Sequence, residues 1–167
     1  MPAAPVFFII FIKEIHLRCG YGETVFMDEK EMKNQWEITR AIEETFFYLD
    51  EKDPERALKN FTEDCDIMIY DHGKIVSAKS GKKACIDHLL KRMEDMEVLF
   101  HVTASQAIDL QVLDQAAVAD THGLAHIVLK EGRRYTEYLS YQDKFIKAEG
   151  VWYIVSRTIN IVSTVEG

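Results

Sequence analysis

The chain has 167 residues, 47% of them hydrophobic and 29% charged, with 20 Lys and Arg against 28 Asp and Glu for a net charge of −8. That length accommodates one domain with a core of its own, without disulfide or metal support. The acidic balance and the lack of any basic run exclude a surface built for nucleic-acid phosphates.

Cys19, Cys65 and Cys85 are odd in number and far apart, so no disulfide framework is expected and a reducing, cytoplasmic setting fits. Residues 1–12, MPAAPVFFIIFI, are apolar, but Lys13 and Glu14 end the run too early to span a membrane. No positive side chain precedes the run, as a signal peptide would need. Gly22-Glu23 is compatible with a purine-rich ribosome-binding sequence ahead of Met27. The expected start is therefore Met27, with residues 1–26 an N-terminal extension and residues 33–164 the domain.

Between Lys33 and Leu49, Ile38, Ala41, Ile42, Thr45, Phe46 and Leu49 fall on one stripe at helical spacing and predict a first helix. Asp53 followed by Pro54 is an N-cap and a first helical residue, so a short second helix is expected to about Phe61. Cys65 to Asp71 and Lys74 to Ser77 read as strands about the turn Asp71-His72-Gly73. Ser80-Gly81 opens a third helix with Ala84, Ile86, Leu89, Leu90 and Met93 on its buried side. His88 lies off that stripe and is expected on a solvated face.

Residues 100–130 read as two long strands joined near Leu113-Asp114-Gln115. In the second, the odd positions Ala117, Ala119, Thr121, Gly123, Ala125, Ile127 and Leu129 are small or apolar, whereas Asp120, His122 and His126 fall on the even face. Two readings are open: a sheet with its polar side in water, or a polar face that forms a pocket wall. His122 and His126 cannot share a zinc ion on a strand. Four residues span about 13 Å at ~3.3 Å each, whereas a ligand must lie within ~2.1 Å of the metal. No metal is expected.

Two further strands, Arg133 to Lys147 and Val151 to Val162, close the domain. Helices followed by consecutive strands indicate an α+β fold. No phosphate loop, dinucleotide fingerprint, nucleophile elbow or thiol pair is present, which leaves chemistry without a cofactor on a small apolar molecule.

Phe46-Phe47-Tyr48-Leu49-Asp50 ahead of Asp53, the run YLDEKDPERAL, and Gly150-Val151-Trp152 at the start of the last strand resemble the SnoaL-like members of the nuclear transport factor 2-like superfamily, over roughly residues 33–164. The resemblance implies a cone-shaped fold with a curved, mostly antiparallel sheet wrapped on about three N-terminal helices. At several polar positions the chain is similar to scytalone dehydratase. There an aspartate at the end of the first helix pairs with a histidine on a central strand, a second histidine lies on the preceding strand, and tyrosines hold the substrate carbonyl.

By position, Asp50 takes the aspartate's place, His101 and His126 those of the histidines, and Tyr70 that of one tyrosine. The other helix tyrosine falls on Leu49, beside Tyr48, and a later-strand asparagine falls near Tyr141. Thr45 stands where other relatives carry a tyrosine, so substrate identity does not carry over.

A carboxylate against one ring nitrogen of a histidine fixes its tautomer and stabilises its charged form. Asp50 with His126 is the expected catalytic pair, and His101 a second donor or proton shuttle. Tyr48, Tyr70, Tyr141, Phe46 and His122 are the expected substrate contacts. Read singly, Asp50 is a helix-end aspartate and His126 a solvated strand residue.

The implied activity is that of a cofactor-independent lyase or isomerase, most concretely a dehydratase, on a small apolar or polycyclic carbonyl compound, with no nucleic-acid or membrane partner. The alternative is a non-catalytic ligand-binding or assembly domain, and contact between Asp50 and His126 in a closed cavity is what separates the two. Tyr135, Tyr138, Val155, Ile159 and Ile161 are expected to be exposed on the late strands, which predicts a homo-oligomer, a dimer in the simplest case.

Overall fold

Asp28 accepts a hydrogen bond from the Glu31 backbone N–H at 2.7 Å and so caps the first helix, α1 (Glu29–Asp50), about one turn earlier than the expected start at Lys33. The computed structural model describes residues 16–18, 24–26, 28–111 and 115–167. The start expected at Met27, most of the segment before it, and the joint at Leu113-Asp114 lie outside those residues.

Two short strands, β1 (His16–Arg18) and β2 (Thr24–Phe26), pair antiparallel. After α1 come α2 (Pro54–Ala57), β3 (Phe61–Asp71), β4 (Lys74–Ser80), α3 (Lys82–Met93), β5 (Met96–Gln111), β6 (Ala116–Leu129), β7 (Arg134–Ala148) and β8 (Val151–Glu166). The second helix is one turn long, because β3 already begins at Phe61. The larger sheet has the order β4-β3-β8-β7-β6-β5, antiparallel throughout except that β3 runs parallel to β8. The class is α+β, with a curved open sheet on N-terminal helices, as expected.

Period two decides which side of the sheet meets the helices. On β6, Ala117, Ala119, Thr121, Ala125 and Ile127 are buried, whereas Asp120 and His122 are exposed. The apolar odd face therefore packs under α1 and α3, and the polar even face is the outer one. On β5, a bulge between Thr103 and Ser105 reverses the alternation. Below it Leu99 and His101 point inward; beyond it Ser105 stands opposite His122 on the outer face, and Gln106 turns inward. There the Gln106 carboxamide accepts from the Thr39 hydroxyl at 2.6 Å and donates to Thr121 at 3.3 Å, tying α1 to the sheet.

Inside the core, Asp143 and Arg157 face each other across β7 and β8, with 0% and 2% of their surfaces exposed. The guanidinium donates through Nε to Oδ1 at 2.6 Å and through Nη2 to Oδ2 at 2.7 Å, and it lies over the rings of Phe46, Phe61 and Tyr141. Tyr138 is exposed as expected, but Ile159 and Ile161 are half-buried and line the cavity described below. They are not part of an outer surface.

Gly123 sits opposite the bulge, where an added Cβ would lie 2.5 Å from the Val102 carbonyl oxygen. Gly123→Ala should therefore cost about 1–3 kcal/mol, the usual range for overpacking against unyielding structure, as read from denaturant midpoints. Asp143→Ala leaves a buried guanidinium unpaired and should cost about 3–5 kcal/mol in the same measurement.

Candidate active site

The C-terminal end of α1 is fixed by its own exit. Lys52 takes a left-handed backbone conformation, φ 58°, and its Nζ donates to the carbonyls of Met96 and Glu97 at 2.7 and 2.8 Å. This clamps the helix end to the start of β5 and brings Asp50 against His101. The Asp50 carboxylate accepts from the His101 backbone N–H at 3.0 and 3.2 Å, and its Oδ1 lies 2.5 Å from His101 Nδ1.

Both side chains are mostly covered, 19% exposed for Asp50 and 10% for His101. Phe46, one turn before Asp50, stacks on the imidazole at 5.1 Å and 19° and meets Tyr141 at 4.9 Å. With Nδ1 committed to Asp50, Nε2 is the free ring nitrogen; no hydrogen bond from the described residues reaches it.

His101 faces a cavity of about 100 Å³ under the sheet. Its walls are mainly apolar, with Leu58, Phe61, Ile67, Met93, Ile127 and Leu139 among them. The polar side chains that enter are Thr45, Glu137, Tyr141 and Arg157, with Lys79, His88 and Arg92 on the side of β4 and α3. The Thr45 hydroxyl is spent on the Ala41 carbonyl at 2.9 Å.

Burial holds the Tyr141 phenol far above its ordinary range despite the Arg157 guanidinium nearby, so it stays protonated, and no hydrogen bond from the described residues reaches its hydroxyl. Burial likewise raises the Glu137 carboxyl, with Asp71 adding to the effect and Arg92 and His101 opposing it. The thiols are not poised nucleophiles: burial pushes Cys65 up to about 12 and also raises Cys85, which lines the cavity.

The expected contact between Asp50 and His126 is not made. His126 lies on the even, outer face of β6, where its Nδ1 is 3.1 Å from the Thr136 hydroxyl, and the inward neighbour of His101 across the register is Ala125. By the criterion set from the sequence, the separation of Asp50 from His126 favours a ligand-binding or assembly domain; the enzyme reading now rests on His101, which takes the partnership with Asp50 instead.

Of the expected substrate contacts, Tyr141 lines the cavity and Phe46 packs against both His101 and Tyr141. Tyr48 lies outside, under Arg56 and Lys59; Tyr70 is on the outer side of β3 beside Met68; His122 is exposed near Ser105. Glu137, His88 and Arg92 were not anticipated. His88 was expected in water, yet it is half-buried, 3.1 Å from the Ser77 hydroxyl. A carboxylate at an odd position of β7, among the inward Tyr135, Leu139, Tyr141 and Asp143, was the available sign for Glu137.

A profile of the SnoaL-like domain matches residues 30–158, and the chain belongs to that family, within the nuclear transport factor 2-like superfamily. No curated protein sequence matches the chain. Among solved structures it is similar to a candidate scytalone dehydratase from Novosphingobium aromaticivorans, with 22% identity, a TM-score of 0.75, and 84% of this chain and 92% of that one covered. A hexachlorocyclohexane dehydrochlorinase from Novosphingobium barchaimii aligns with a TM-score of 0.70 at 11% identity, covering 81% and 91%. A candidate calcium/calmodulin-dependent protein kinase II association domain from Xanthomonas campestris aligns at 0.64 and 13%, covering 75% and 86%. At these identities the likeness is one of fold.

Burial lowers the His88 imidazole below its ordinary value, and Arg92, Lys79 and Lys91 add to the effect. The folded state thus prefers neutral His88, a contribution present above the ordinary histidine pKa and lost as pH falls through the lowered one. His88→Gln should flatten the fall in stability on the acid side of neutrality, measured by denaturant unfolding across pH.

Proposed function

We propose that the chain is a cofactor-independent lyase or isomerase that moves a proton next to the carbonyl of a small apolar substrate. The observation that carries this reading is the Asp50–His101 pair, with Nδ1 held by the carboxylate and Nε2 free beside an apolar cavity. Such a histidine is a general base in the right tautomer, and the carboxylate stabilises the imidazolium formed when Nε2 takes a proton. Tyr141, protonated and without a hydrogen-bond partner among the described residues, donates to the substrate carbonyl as negative charge moves onto its oxygen. The cavity is below the roughly 150 Å³ that accommodates benzene in an engineered protein core. A single small ring is therefore the largest body expected, after modest movement of wall side chains, and a polycyclic ligand does not fit the cavity as it stands.

Exchange of α-protons for solvent deuterium in cyclohexanone, followed by NMR, tests the base without knowledge of the natural substrate. His101→Gln and Asp50→Asn should each lower the protein-catalysed rate by about 10²–10⁴, and the losses should not add, because the pair acts as one unit. His126→Ala should change it little. Ketone binding without exchange in the wild type would replace this reading with that of a ligand-binding or assembly module.

We also propose a homodimer through the outer face of the sheet, where Val98, Phe100, Val102, Tyr138 and Val165 are more than two-fifths exposed. Light scattering at micromolar concentration should give twice the chain mass, and Phe100→Glu should reduce it to one. The setting that goes with these readings is cytoplasmic.

A further inference from the structure

His101, Ala125 and Glu137 stand side by side on β5, β6 and β7: His101 is in register with Ala125, and Ala125 with Glu137. All three line the cavity. Two strand spacings separate the backbones of the outer pair by about 10 Å, and the methyl group between them leaves the space above the strand open. His101 and Glu137 thus reach into the cavity from its two sides, over a floor made by Ala125.

Nothing in the fold uses the Glu137 carboxyl group. No hydrogen bond or ion pair from the described residues reaches it. The groups that bear on it electrostatically are Arg92 on α3, Asp71 at the end of β3, and His101 on β5. Tyr135 and Tyr141, on its own strand, feel its charge in turn. An unpaired carboxyl group half-buried in an apolar cavity is costly as an anion. As a neutral acid it is a donor aimed at whatever lies over Ala125.

We propose that Glu137 is the general acid opposite the His101 base, protonating the hydroxyl group that leaves as water in the dehydratase chemistry the family resemblance implies. The inference rests on the Asp50–His101 reading and extends it to the leaving group. His101 Nε2 takes the α-proton, and the C–H electron pair becomes the new C=C bond as the C–O bond breaks. The Glu137 carboxyl proton goes to the departing oxygen. The products are an enone and water, with imidazolium on His101 and carboxylate on Glu137; a proton passed from one to the other through solvent restores the starting state. A halide leaves without a proton, so a site built only for dehydrohalogenation has no use for this acid.

Two measurements test the assignment. In carbon-13 NMR of the resting protein, the Glu137 carboxyl signal, identified by its loss in Glu137→Gln, should titrate above the ordinary glutamate value; a midpoint at or below that value overturns the acid, whatever the substrate. Release of cyclohexenone is then followed from 3-hydroxycyclohexanone and from 3-chlorocyclohexanone. Glu137→Gln should lower the ratio of hydroxy- to chloroketone rates by about 10²–10⁴, the range for a general acid, whereas His101→Gln should slow both. A ratio unchanged by Glu137→Gln overturns the proposal. Retention of both rates by His101→Gln instead removes the base and leaves the Glu137 ratio to be judged separately.

Discussion

The Arg157–Asp143 pair is the interaction on which the arrangement of the site depends. Burying a guanidinium is expensive unless its charge and its donors are both met. Here one carboxylate takes two N–H groups, and three aromatic rings cover the rest. Burial works against the charged guanidinium, but the charge and hydrogen bonds of Asp143 together, with Tyr141 adding to them, outweigh it, so Arg157 stays charged. Those rings come from α1, β3 and β7, which fixes the helix over the sheet at Phe46. Phe46 in turn sets the plane of the His101 ring.

From that anchor the site follows in short steps. The Lys52 clamp and the Gln106 bridge hold α1 at two levels of β5, and Asp50 lies near the first of them. A helix-end aspartate that accepts both the backbone and the ring N–H of one residue leaves that residue little freedom. The histidine is oriented before any ligand arrives, as the proposed proton transfer requires. The small residues of β6, Ala125 above all, supply the space beside it.

The same fold in neighbours described as a dehydratase, a dehydrochlorinase and an association domain shows why architecture does not settle activity. Under such an architecture, activity rests on the polar groups left without partners in the cavity. In this chain those are His101 Nε2, the Tyr141 hydroxyl and the Glu137 carboxyl group. They are the groups on which the proposed chemistry rests.

Much of this was legible in the sequence. Helical spacing from Ile38 to Leu49, the Asp53-Pro54 break, the turn at His72-Gly73 and the alternation on β6 are local signals, and each gave its element. The helix-end Asp50 and the strand His101 were also singled out through resemblance, and the fold brings them into contact.

The partner of Asp50 was decided only by the tertiary structure, because alternation says that two faces exist and not which one meets the helices. The even face of β6 carried the histidines, yet the small odd residues are the ones buried in the core, so His126 went outside and Ala125 inside. The bulge at Thr103–Ser105 moved Ser105 to the other face, and it depends on Gly123 across the register, a pairing no single strand reveals. Glu137 was not singled out in the sequence; only the register sets it level with His101. Residue type and local period determined the elements, and pairing between distant strands determined which chemistry faces the cavity.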